Sequence, residues 1–153
     1  AWLISQAKMH LYMQAQKAIS QISLEFLNSR PTTLYISEDN SSIRFQIPNV
    51  DADGNLKRIP AGDPFGDLSW GDGETFGNYI SYRLNGSDLI RERLDSNFNV
   101  IATRIIARGV NRFFVSGTSI IQIQLTLQIT HYLSIRLPTP ITYTVSTLVN
   151  RRV

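Results

Sequence analysis

The chain has 153 residues, 42% of them hydrophobic, and sets 15 Lys and Arg against 12 Asp and Glu for a net charge of +3. That length buries the core of one domain, and so mild a basic excess gives no ground for expecting a nucleic-acid partner. The absence of cysteine rules out a disulfide framework and thiolate metal sites, and no window approaches the run of about 18 apolar residues that would cross a bilayer as a helix.

Residues 1–29 predict one long amphipathic helix. Ile4, Ala7, Leu11, Ala15, Ala18, Ile22 and Phe26 recur three or four apart and so line one side. Good helix formers fill the stretch and no Gly or Pro precedes Pro31, so the rod should run roughly 40 Å. Trp2, Met9 and Met13, with Leu24 and Leu27 further on, fall near the opposite side. A helix that is apolar on two sides is ordinarily buried on two sides. Either later strands wrap it, or Trp2, Met9 and Met13 form a partner-binding strip. The helix opens at Ala1-Trp2-Leu3-Ile4 without a Ser, Thr, Asp or Asn cap, the expectation for a helix cut partway along.

Arg30-Pro31 stops the periodicity, and residues 33–36 and 43–47 read as two short strands. Residues 48–77 are punctuated by Pro and Gly and predict a long structured loop, with Phe65, Leu68, Trp70 and Phe76 as its apolar anchors. Residues 79–84 and 89–94 flank Asn85-Gly86, a hairpin signal whose turn is either two residues long or extends through Asp88. In residues 100–109, Ile101 and Ile105 with Gly109 suggest a short helical turn. Residues 111–115 should pair with 121–130, where Ile121, Ile123, Leu125, Leu127 and Ile129 alternate with Gln and Thr, one face dry and the other wet. The same phase runs on through Leu133, Ile135 and Leu137 until Pro138-Thr139-Pro140 interrupts it, and residues 141–149 form a last strand. The layout is α+β, a long N-terminal helix packed on antiparallel sheet, with 1–29 as spine and 30–153 as the globular part of a single domain.

Chemistry-bearing constellations are sparse. The two histidines are His10 on the helix and His131, which the alternation places in a core phase. With no cysteine and so few bases, no catalytic residues can be assigned, and a non-enzymatic role is expected. Asp63, Asp67, Asp72 and Glu74 sit among turn residues, where Asp ordinarily shapes the backbone. Asp51-Ala52-Asp53-Gly54-Asn55 imitates the start of a calcium loop, but Leu56 and Gly62 stand where such a loop needs Gly and Glu. No cofactor is required, and calcium within residues 51–74 stays open. The arginines after residue 82 mostly alternate with apolar residues and read as solvated strand faces.

The helix of residues 1–29, together with "ISYRLNGSDLIRERLDS", "IIARGVNRFF", "SIIQIQLTL" and "ITYTVSTLVNRRV", resembles the soluble part of the type IV pilin-like family. The likeness is greatest to minor pseudopilins of the J type from type II secretion systems and to W-type minor pilins. It implies a pilin-like fold and a non-catalytic structural subunit of a periplasmic pseudopilus or pilus, inserted in the bacterial inner membrane in its full-length form. It also implies a place at the filament tip and partners that are other minor pseudopilins or pilins, met through the N-terminal helix by Trp2, Met9 and Met13. Two other roles remain open. One is a carbohydrate- or DNA-binding tip module using Phe65, Trp70 and Tyr79 with nearby arginines; the other is a plain structural domain of a larger secreted protein.

Overall fold

The computed structural model describes residues 2–70 and 78–150. Helix α1, Trp2–Leu27, is followed by a 3₁₀ turn at Pro31–Thr33 and by strands β1 (Tyr35–Ile36), β2 (Ser42–Gln46), β3 (Arg58–Ile59) and β4 (Asp67–Leu68). Strands β5 (Tyr79–Asn85), β6 (Asp88–Leu94), β7 (Val100–Ala107), β8 (Val110–Gly117), β9 (Ile120–Tyr132) and β10 (Ile135–Asn150) complete the chain. They form a five-stranded sheet in the order β1-β2-β5-β6-β7, a three-stranded sheet in the order β10-β9-β8 and a small β3-β4 pair, each pairing antiparallel. The α+β class therefore holds. No helix among the described residues is long and apolar enough to cross a membrane.

Helix α1 is the common support of both larger sheets. Its buried residues, Ala7, Leu11, Ala15, Ala18, Ile19, Ile22 and Phe26, join Ile43, Phe45 and Ile80 of the five-stranded sheet and Ile121, Ile123, Leu125 and Leu127 of the three-stranded one in a single core. Ala7, Ala15 and Ala18 on this stripe are small enough to let the sheet approach closely. Each fully buried Leu, Ile or Phe contributes about 1.5–3 kcal/mol. At the helix end Phe26 packs edge-on against Phe45, centroids 5.9 Å apart. There Ser29 donates through Oγ to the Phe26 carbonyl at 2.7 Å and closes the last turn.

Several elements differ from the sequence expectation. Thr33 belongs to the 3₁₀ turn and not to a strand: its hydroxyl donates to Arg30 O at 2.6 Å and accepts from Gln46 N–H at 3.0 Å. The expected helical turn at 100–109 is strand β7, paired with β6. Ile101 and Ile105 are four apart, a spacing that also puts two residues on one face of a strand, so it could not separate the alternatives. The continuous phase through Leu137 is broken by a hairpin in which Tyr132 pairs with Ile135 around Leu133 and Ser134, both at positive φ. This two-residue type I′ geometry usually calls for Asn-Gly. His131 therefore lies on an exposed hairpin tip instead of in the core, with Nδ1 hydrogen-bonded to Thr130 Oγ1 at 2.9 Å. Pro138-Thr139-Pro140 does not end a strand; it sits inside β10, at the register shift between Arg136 and Ile141. At Asn85-Gly86 the strands close through Asn85 opposite Asp88, so the turn is Gly86-Ser87, with Gly86 supplying the positive φ.

Candidate functional site

The second side of α1 is uncovered among the described residues. Trp2, Met9 and Met13 are 67%, 59% and 61% exposed, and Leu24 is equally open, while the stripe opposite them is buried. Strands do not wrap the helix, and the three residues singled out by the sequence share one surface. Leu27 departs from expectation and packs half-buried on the core. Covering Met9 and Met13 would gain about 2–4 kcal/mol for the pair, scaling full burial by the exposed fraction. Apolar strips of this kind mark partner sites on otherwise folded proteins.

The surface extends beyond the residues read from the sequence. Tyr12, three positions after Met9, is also largely exposed and stands edge-on to Tyr143 of β10 with centroids 5.4 Å apart. Gln16 Nε2 donates to the Tyr143 hydroxyl at 3.4 Å. Between this part of the helix and Ile141–Tyr143 runs a mostly apolar groove of about 500 Å³, lined on the helix by Ser5, Lys8, Met9, Leu11 and Tyr12. Tyr12 was legible from its spacing to Met9. The β10 side was not, because it depends on which strand lies beside the helix.

The C-terminal end of α1 is tied to the five-stranded sheet by an ion pair that the spacing of the sequence does not announce. Glu25 accepts from Arg91 Nε at 2.9 Å and Nη2 at 2.7 Å, and the Tyr82 hydroxyl donates to the same carboxylate. The bidentate fork fixes the end of α1 to β5 and β6. Burial, and after it the Glu25 charge, pushes the Tyr82 phenol well above its ordinary range, while the hydrogen bond to Glu25 holds the Arg91 proton more firmly. A second fork, Arg83 to buried Glu92 at 2.7 and 3.2 Å, stiffens the β5–β6 hairpin. Arg83 and Arg91 are thus structural partners and not merely solvated.

The aromatics proposed for a ligand-binding tip are not gathered. Phe65 is 94% exposed and anchors nothing. Trp70 is half-buried beneath the Arg30 guanidinium, and Tyr79 stacks edge-on against Phe98 at 4.9 Å. No ring contact joins these three among the described residues, and Phe76 lies outside them. Arg44 is instead sandwiched by Tyr35 and Phe98, at 4.7 and 3.8 Å from the ring centres.

In the glycine-rich loop the carboxylates shape turns. Asp51 Oδ1 accepts from the backbone N–H groups of Asp53 and Asn55, and Asp63 Oδ1 from that of Phe65, each at 2.9 Å. The described residues contain no cluster of three acids or histidines able to hold a metal, and Asp72 and Glu74 lie outside them. His10 rests against Tyr132, centroids 5.7 Å apart, on the exposed flank of the helix. Compared with known protein families, curated proteins and solved structures, the chain matches none.

Proposed function

We propose that the chain is a non-catalytic structural subunit of a pilin-like filament, a minor tip subunit of a periplasmic pseudopilus or type IV pilus anchored in the bacterial inner membrane. The observation that carries this reading is the two-sided helix: one stripe fully buried, and Trp2, Met9 and Met13 exposed on the other side. In a filament, companion subunits supply the missing cover by packing their own N-terminal helices along this strip. The reading requires no cofactor. Its test is the Met9→Asp/Met13→Asp variant of the full-length protein in its own cell. Protein secretion or piliation should be lost while stability stays within about 1 kcal/mol of wild type, as for exposed substitutions. Normal secretion and piliation by a variant that is made in normal amounts would sink it.

A further inference from the structure

Edge strands carry unpaired N–H and C=O groups, and folded proteins usually close or blunt them. The edges of this fold are treated unequally. β8 is capped by the other sheet: Val115 N–H donates to Asn40 O at 2.9 Å, Asn40 Nδ2 donates to Val115 O at 2.9 Å, and Val110 N–H donates to Ser87 O at 2.8 Å. β1, β3 and β4 have two residues each. β7 carries Arg104 and breaks register with β6 near both ends. β10 is different. From Ile141 to Asn150 it pairs residue for residue with β9, without irregularity, and has no other strand neighbour among the described residues. This segment, ITYTVSTLVN, contains no charge, no Pro and no Gly.

We propose that this edge of β10 pairs antiparallel with the same edge of a second copy, joining two three-stranded sheets across a two-fold axis. The added strand must be apolar where it faces the helices and hydroxyl-bearing where it continues the wet face. β10 itself follows that pattern from Thr142 to Ser146, with Tyr143 and Val145 half-buried and Thr142, Thr144 and Ser146 exposed, and departs from it at Thr147 and at Leu148, which is 71% exposed on the wet face. Opposed residues must share a face, so the pairing has to centre on a residue and not between two. Centring it on Val145 pairs residues 141–149 with themselves and sets Thr144 opposite the second copy's Ser146. No like charges meet along the strands, a condition that would otherwise oppose self-pairing. The wall formed by this edge and the flanking helix is about 30 Å long and about 20 Å tall. At about 600 Å² on each copy, it reaches the lower end of specific interfaces. This inference stands apart from the filament reading: the two-fold axis runs along the sheet normal and turns the second copy's α1 antiparallel to the first, whereas filament subunits anchored in one membrane keep their helices parallel.

Sedimentation velocity of the chain across a concentration series tests it. Wild type should pass from monomer to dimer as concentration rises. Thr144→Lys/Ser146→Lys, which opposes lysine to lysine, should stay monomeric with its melting temperature unchanged. Thr144→Asp/Ser146→Lys, which opposes Asp to Lys, should regain the dimer. Three results would each overturn the pairing: a monomeric wild type at every concentration, a dimer in the double-lysine variant, or no recovery on charge swapping.

Discussion

Replacing Glu25 with Ala is expected to lower stability by about 2–4 kcal/mol, because the carboxylate ties the end of α1 to both β5 and β6. Its removal strips the ionic partner from Arg91, whose side chain is 20% exposed, and leaves the fully buried Tyr82 hydroxyl without its acceptor. Losing one member of a buried ion pair costs about 3–5 kcal/mol, and an unsatisfied buried hydroxyl adds about 1–3 kcal/mol. Water reaching the partly open Arg91 offsets part of that sum. For a chain of this length the loss corresponds to a fall in melting temperature of about 5–15 °C. Thermal and urea denaturation followed by circular dichroism would measure it, alongside Arg91→Met and the double variant Glu25→Leu/Arg91→Met. The double variant should recover the part of the loss due to the stranded charge, since neither charge is then left buried alone, while the part due to the Tyr82 hydroxyl stays. A Glu25→Ala protein that melts within about 1 °C of wild type, or a double variant that is merely the sum of the singles, would refute the reasoning.

The two sides of α1 should also separate cleanly in denaturation: Leu11→Ala is expected to cost about 2–5 kcal/mol through the cavity it leaves, and Met9→Ala no more than about 0.5 kcal/mol. Equal losses would place Met9 in the core. Because the Tyr82 pKa is raised in the folded chain, the folded form keeps a proton that the unfolded form releases above pH about 10. Stability from this residue is therefore intact below that pH and falls above it by up to about 1.4 kcal/mol per pH unit; urea titrations of Tyr82→Phe should show a shallower alkaline slope than wild type, and an identical slope would contradict the assignment. Gly117, the last residue of β8 at φ 114°, would bring an added Cβ within 2.1 Å of Ile120 O. Gly117→Ala should cost at least about 2 kcal/mol, and wild-type melting would rule out this turn geometry.

Residues whose environment is set by local periodicity were legible in the sequence. The buried stripe from Ala7 to Phe26 and the dry and wet faces of β9 follow from spacing alone, and so does the place of Trp2, Met9 and Met13 opposite that stripe; their exposure does not, because a helix apolar on two sides is ordinarily buried on both and only the position of the strands decides it. Residues whose environment is set by distant partners were not. Glu25 looks like one more polar helix residue until β5 and β6 bring Tyr82 and Arg91 to it, 57 and 66 positions away. His131 keeps the parity of a core residue, but Tyr132 beside it is the one that packs on the core and against His10, and His131 is left exposed next to a reversal at Leu133-Ser134 that lacks the turn residues to announce it. β7 is a strand because β6 lies beside it, which overrides the weak helical reading of Ile101 and Ile105. Likewise the groove at Tyr12 exists only because β10 is the strand next to the helix.

Site-specific cross-linking in cells tests the helix strip most directly. The chain has no cysteine, so Met13→Cys on the strip and Asp53→Cys on the exposed loop each carry a single reactive position. Met13→Cys is predicted to form a covalent adduct with a companion filament subunit that has its own N-terminal apolar helix, identified by mass spectrometry, and Asp53→Cys is predicted not to. Failure of Met13→Cys to capture any such subunit, or equal capture from Asp53→Cys, would contradict the assembly role of Trp2, Met9 and Met13.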